Sequence, residues 1–307
     1  VSGETVVQND IVLTGVDGQT IAGTWTRRQA QRQPTALIIG PALGVPRRFY
    51  TEFATYMAGV GYDVLSIDFR GFGDTARYPL HFNGGFRDFG LDVSAAIHEA
   101  QSQGYGTIVY AGHSLGGLAL GYSNDNTAVK RAVAIGSGSG YFGWSPPLER
   151  PLRRFFWLVL VPGLTRMAGY YPGKRIGILG DIPKPIVLEW ARMCRTRSFF
   201  APTPAEIPLA SFAQYSGKLT VISISDDRIM PKAAVDELAR NYTSANPVRL
   251  ELTPQQLGLN RVGHFNAYKA GRERLWPAMA LWLSGQDGAL EELVNGTAPS
   301  VDVQMSA

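Results

Sequence analysis

Four apolar runs constrain this chain most: TALIIG from Thr35, TIVYAG from Thr107, RAVAIGSG from Arg131 and LTVISIS from Leu219. They are nearly continuous rather than alternating, so neither face of such a strand suits water. Strands apolar on both faces belong in a parallel sheet covered by helices on both sides. The chain supplies those helices in between. Phe49, Phe53, Met57 and Val60 share one stripe, which stops at Gly61. Phe89, Val93, Ile97 and Ala100 share another. KAAVDELARNY and RERLWPAMALWL read as later helices, the second with Pro277 in its early part. DVLSIDF and PVRLELT add strands, and DIVLTGVDG with QTIAGTWTR reads as a strand pair turning at Asp17-Gly18. This alternation predicts an α/β fold built on a doubly wound, mostly parallel sheet.

The rhythm breaks between Tyr141 and Tyr215, where proline, arginine and aromatic residues gather without a strand pattern. A helical insertion at the carboxyl edge of the sheet, residues 141–215, accounts for it. The core then comprises residues 1–140 and 216–285, and residues 286–307 read as a loose C-terminal tail. A chain of 307 residues that is 45% hydrophobic can bury a sizeable core. Its single cysteine, Cys194, excludes an intrachain disulfide framework and any multi-cysteine metal site. The longest apolar run, FFWLVLVPGL, contains Pro162 and is too short to span a bilayer. The formal net charge of +4 does not point to nucleic acid. No signal-peptide pattern opens the chain, which starts at Val1; the expectation is a cytoplasmic protein.

The stretch VYAGHSLGGLAL places Ser114 between an apolar strand and a short helix. A strand running directly into a helix must turn sharply, which exposes the turning side chain at the sheet edge in a strained backbone. The residues two positions away approach each other, and here they are Gly112 and Gly116. The helix that starts there aims free N–H groups and its positive end at the serine. A tight turn with an incidental serine is the competing reading, so the chain must also supply a base, because a serine hydroxyl is a weak nucleophile at neutral pH. Four histidines are available. His98 lies within a helix, His113 points to the other side of the elbow, and His81 sits in a loop with no carboxylate to orient it. His264, in NRVGHFNAY, follows the last strand in a glycine-bearing loop that reaches the carboxyl edge of the sheet. Between serine and histidine, VISISDDRIMP ends a strand in two carboxylates, Asp226 and Asp227. Either could orient an imidazole, and either could serve as a turn or a helix cap.

From about Ile11 to Leu283 the chain resembles the α/β-hydrolases through GHSLGG, DFRGFGDT, DDRIMP and VGHF taken together. The resemblance implies an α/β-hydrolase fold with a helical cap insertion. It implies Ser114 as nucleophile and His264 as base. DRIMP, matching an acid that precedes a short x-[IV]-x-P segment, implies Asp227 rather than Asp226 as the acid. PALGVPRRFYTEFA, GYFGWSPP and YYPGKRIGILGDIPK also resemble a bacterial subgroup of uncharacterised serine hydrolases with a Pro-Ala-Leu-Gly loop. Where many family members carry His-Gly after the third strand, this chain has Pro41-Ala42. The resemblance then implies backbone N–H groups of Leu43 and Leu115 as the oxyanion hole.

Other motifs lack their context. GSGYFG from Gly138 matches a dinucleotide loop, but Trp144-Ser145-Pro146-Pro147 follows instead of a helix. GYYPGKR has short glycine spacing and Arg175 in place of Ser/Thr, and HEAQS lacks a second histidine. No metal or organic cofactor is expected. Residues 147–197 carry ten basic and three acidic side chains, a net +7, which leaves −3 for the rest of the chain. Phe155, Phe156, Trp157, Tyr170, Tyr171 and Trp190 interleave with that charge. Such a cap suits an apolar acyl chain with an anionic end, or contact with an anionic membrane surface; solvated arginines around a cap core are the plainer reading. The expected partner is a small-molecule ester or thioester, with a Ser-His-Asp esterase as the leading activity. A thioesterase or acyltransferase using the same residues is the alternative within that chemistry. A catalytically silent ligand-binding protein on the same fold is the alternative outside it.

Overall fold

The computed structural model describes residues 5–29, 31–75, 82–177, 180–197, 199–200, 210–272 and 274–297. Strands β1 (Val6–Thr14), β2 (Thr20–Arg28), β3 (Thr35–Gly40), β4 (Asp63–Ile67), β5 (Thr107–His113) and β6 (Val129–Ile135) alternate with helices α1 (Thr51–Gly59), α2 (Asp88–Ser102) and α3 (Leu115–Tyr122). The segment after β6 holds α4 (Arg150–Phe155), α5 (Val161–Ala168), the short strands β7 (Tyr170–Pro172) and β8 (Asp181–Pro183) with α6 (Gly173–Ile176) between them, then α7 (Lys184–Cys194) and α8 (Ala210–Gln214). The chain returns through β9 (Lys218–Ile224), α9 (Lys232–Asn241), β10 (Val248–Leu252), α10 (Leu275–Ser284) and α11 (Ala289–Val294).

Eight strands form one sheet in the order β1-β2-β4-β3-β5-β6-β9-β10. The β1–β2 and β2–β4 pairs are antiparallel and all the others are parallel. The continuous apolar runs behave as their composition requires. In β3, Ala36 and Ile38 enter one core, while Leu37 and Ile39 enter the other. Tyr110 and Val109 of β5 divide in the same way, as do Val221 and Ile222 of β9. Side chains alternate across a strand, so every second residue serves the opposite layer. Phe89, Val93, Leu118 and Leu238 cover one face; Phe53, Met57, Trp282 and Leu290 cover the other.

The order reverses at β3: the next strand, β4, lies on one side and β5 on the other. Loops leaving two strands in opposite directions open a crevice at their carboxyl ends. The loops after β3 and β5 are those containing Leu43 and Ser114, so the topology brings them together.

The segment between β6 and β9 is helical but also contains the antiparallel pair β7–β8, in which Tyr171 faces Ile182. Strands of three residues containing proline leave no periodic trace in a sequence. Between α4 and α5 the helix continues as a π-turn over Phe156–Leu160. Pro162 follows and has no N–H to return to Leu158, and the widened turn absorbs the missing bond. No helix among the described residues is long and apolar enough to cross a membrane.

Residues 286–307 read as a loose tail, and the structure corrects this for the described part. Helix α11 buries Leu290 and Leu293 completely against the core that includes α10. Six residues are too few for an apolar period to stand out. Asp287 ties its start to the sheet through Arg131, at 2.5 Å, and Lys218. The two cations push the Asp287 carboxyl down to about 2. Leu290→Ala should therefore cost about 2–4 kcal/mol in urea unfolding, the range for a fully buried leucine. A cost below about 0.5 kcal/mol would return the segment to a tail.

Candidate active site

The turn at Ser114 is built from glycines. Gly40 of β3 pairs in register with Gly112 of β5. A Cβ on Gly116 would overlap the Gly40 carbonyl, and one on Gly112 would stand 2.7 Å from the Gly117 nitrogen. Without side chains there, the first turn of α3 nests against the ends of both strands. Ser114 is left with φ 52° and ψ −111°, and among the described residues only Asn246 shares a positive φ without being glycine. Such a conformation costs of order 1–3 kcal/mol and persists only where the surroundings impose it. The Ser114 N–H donates to the Ile135 carbonyl at 3.0 Å, which secures the turn from β6.

His264 meets this serine from the loop after β10. Its Nε2 lies 3.0 Å from Ser114 Oγ, and its Nδ1 lies 2.7 Å from Asp227 Oδ2. The other oxygen of Asp227 accepts the N–H groups of Ile229, at 2.8 Å, and Met230, at 3.0 Å. The carboxylate is thus oriented by its own turn, with one oxygen left for the imidazole. Both side chains are almost fully buried. A buried imidazole beside a carboxylate keeps Nδ1 as donor and Nε2 as acceptor toward the hydroxyl.

Asp226 does a different job. Its two oxygens accept the N–H groups of Gly263, at 2.8 Å, and Val262, at 3.0 Å. It clamps the loop that carries His264 without touching the imidazole. The adjacent pair therefore divides into one carboxylate on the ring and one on the backbone behind it.

The remaining histidines fall elsewhere. His98 of α2 pairs with Asp125 at 3.3 Å and is remote from the serine in these contacts. His81 lies outside the described residues. His113 points away from the elbow, as its position next to Ser114 requires, yet it is part of the same assembly. The Ala42 N–H donates to the Tyr50 hydroxyl at 2.8 Å, and that hydroxyl lies 2.8 Å from His113 Nδ1. His113 Nε2 lies 2.8 Å from the His264 carbonyl, which can only accept. The polarity then runs one way: Ala42 N–H to Tyr50, Tyr50 O–H to Nδ1, Nε2–H to His264. Burial, and secondarily the charge of His264, push the His113 pKa down to about 3. The sequence offered no hint of Tyr50, because its partners are distant in the chain and its ring lies in an apolar stripe.

Ala42 N–H is consumed by Tyr50, while neither the Leu43 N–H nor the Leu115 N–H is engaged by another described group. A cavity of about 50 Å³ lies against Ser114 and His264, walled by Leu43, Leu115, Trp190 and Phe199 among others. Gly138 and Gly140 of the GSGYFG stretch line it too, so that motif shapes this cavity. Among the described residues there is no cluster of three His, Cys, Asp or Glu side chains suited to a metal. Cys194 is buried, and burial pushes its thiol well above the usual range, which makes it a poor nucleophile.

Solved structures of the same fold support this architecture. A hypothetical protein from Pseudomonas aeruginosa aligns with a TM-score of 0.65 at 15% identity, covering 92% of this chain and 94% of its own. An esterase from Pyrococcus furiosus aligns at 0.56 and 14% identity, covering 91% and 92%. A thermophilic esterase from Thermogutta terrifontis aligns at 0.57 and 15%, covering 90% and 98%. At such identities these likenesses establish the fold. No curated protein sequence matches the chain. Residues 37–274 match the family model described as the alpha/beta hydrolase family, and that span contains the serine, both aspartates and the histidine. The chain belongs to the alpha/beta hydrolase family.

Proposed function

We propose that the protein is a serine hydrolase that cleaves a carboxylic ester through an acyl-enzyme. The observation that carries this reading is the His264 ring held between Ser114 Oγ at 3.0 Å and Asp227 at 2.7 Å. In the proposed reaction, Nε2 takes the hydroxyl proton as Oγ bonds to the substrate carbonyl carbon. The carbonyl electron pair moves onto oxygen, where the N–H groups of Leu43 and Leu115 stabilise it. Such donors contribute roughly 10²–10³-fold each because they are fixed before charge develops. The intermediate expels the alcohol, which takes the proton from Nε2. Water then attacks the acyl group, giving its proton to Nε2, and collapse returns that proton to Ser114. Asp227 stays ionised throughout and stabilises the imidazolium.

His113 is excluded as the base by its own bonds. Its Nδ1 accepts from Tyr50, and a ring with a pKa near 3 is neutral at working pH. We assign it a positioning role, joining the loop of Leu43 to the backbone of His264.

Two outcomes test these assignments. Turnover of short p-nitrophenyl esters should fall roughly 10⁴-fold or more in Ser114→Ala and about 10⁴-fold in Asp227→Asn. Asp226→Asn should lose only about tenfold, since it acts through the loop. Wild-type turnover in Ser114→Ala, or a larger loss at Asp226 than at Asp227, contradicts the assignment. Second, His113 binds protons more readily unfolded, where its ordinary value is 6.5, than folded, at about 3. Its contribution is full above pH 6.5 and is lost as pH falls toward 3. Between pH 7 and pH 5 wild type should lose about 2 kcal/mol more in urea unfolding than His113→Gln. Identical pH dependence of the two proteins would contradict a buried neutral ring.

A further inference from the structure

The helical run from Arg150 to Ala168 turns apolar side chains to both sides. Inward, Trp157, Val161 and Thr165 are buried. Outward, Leu148 is 95% exposed, Leu152 70%, Phe155 53% and Val159 54%. Leu152 and Phe155 stand three residues apart on α4, with Leu148 in the turn just before it and Val159 in the π-turn just after. Leu158 and Met167 extend the same exposed surface. One exposed leucine needs no explanation, but six large apolar residues exposed between positions 148 and 167 mark an interaction surface.

The exposed charges of this segment that have no acidic partner are all positive. Arg150, Arg154 and Arg166 are exposed, and among the described residues Arg154 and Arg166 have no hydrogen bond or ion pair. The only acidic residue from 147 to 180 is Glu149, which Arg153 holds at 3.1 Å. The exposed part of the segment is therefore both cationic and apolar. A second copy docking face to face would oppose positive charge to positive charge. An anionic lipid surface complements both properties, accepting arginines among its headgroups and apolar side chains just below them.

A second feature lies next to this face. A cavity of about 700 Å³ runs between the helical run and α7, with Leu152, Phe156, Leu160 and Trp190 in its wall. It shares Gly140, Trp190, Ile229 and Met230 with the smaller cavity at Ser114. The apolar face thus borders the approach to the candidate active site.

We propose that the helical run Arg150–Ala168 seats the protein on an anionic lipid bilayer, with the larger cavity opening toward the lipid. Docking is independent of the chemistry at Ser114, so the two readings stand or fall separately. The test is sedimentation of the full chain with vesicles of phosphatidylcholine, with and without phosphatidylglycerol. Wild type should partition onto the phosphatidylglycerol vesicles and release as salt rises. Arg154→Gln with Arg166→Gln should weaken partition about 30-fold, from about fivefold per arginine. Leu148→Glu with Val159→Glu should weaken it at least about tenfold. Neither pair lines either of these two cavities, so both variants should keep wild-type thermal unfolding and turnover of a soluble short-chain ester. Partition of wild type onto neither vesicle, or equal partition of wild type and both variants, overturns the proposal. So does a wild-type dimer in sedimentation equilibrium that Leu148→Glu with Val159→Glu makes monomeric, since the face would then belong to a second copy. An absence of ester turnover in wild type would sink the hydrolase reading and leave the vesicle result readable.

Discussion

The close approach of α3 to the ends of β3 and β5 is the constraint from which the site follows. Backbone meets backbone there because Gly40, Gly112 and Gly116 have no side chains. That contact leaves Ser114 no ordinary conformation and holds it at φ 52°. The strain is repaid by burial of the helix behind it, where Leu118, Ala119 and Leu120 are nearly inaccessible. A hydroxyl fixed in this way needs no reorganisation to meet an imidazole. Leu115, the next residue, lines the cavity at Ser114, beside the crevice that the strand order opens between β3 and β5.

The other loops are tied to this turn by hydrogen bonds as well as by apolar and aromatic packing. Asp226 secures the backbone before His264, Asp227 faces its ring, and His113 bonds its carbonyl. Through Tyr50 the same His113 reaches Ala42, next to Leu43. Three loops from distant parts of the chain thus share one directed network. Buried polar groups are costly when unpaired, and here each member satisfies the next, which favours a single arrangement of all three.

Much of this was legible in the sequence because the signals are local. Continuous apolar runs specified β3, β5, β6 and β9, and G-x-S-x-G between strand and helix marked Ser114. The aspartate pair was legible only as a pair. Residue chemistry cannot say which neighbour faces the histidine, and the x-[IV]-x-P likeness pointed to Asp227, the one whose oxygen lies on the ring. Tyr50 and His113 were invisible as partners because their contacts span 63 and 151 positions in the chain. Helix α11 was too short for periodicity, and the β7–β8 pair too short and proline-rich. The exposed face of Arg150–Ala168 was hidden for another reason: a run apolar on both sides shows no dominant period, so outward Leu152 and inward Trp157 look alike in sequence.

Whether the Ser114 hydroxyl is activated by His264 can be read directly with a fluorophosphonate probe followed by peptide mass spectrometry. The account predicts one modified serine, residue 114, in wild type, and labelling slowed roughly 10³-fold or more in His264→Ala. No adduct at Ser114, or equally fast labelling without the imidazole, would contradict it.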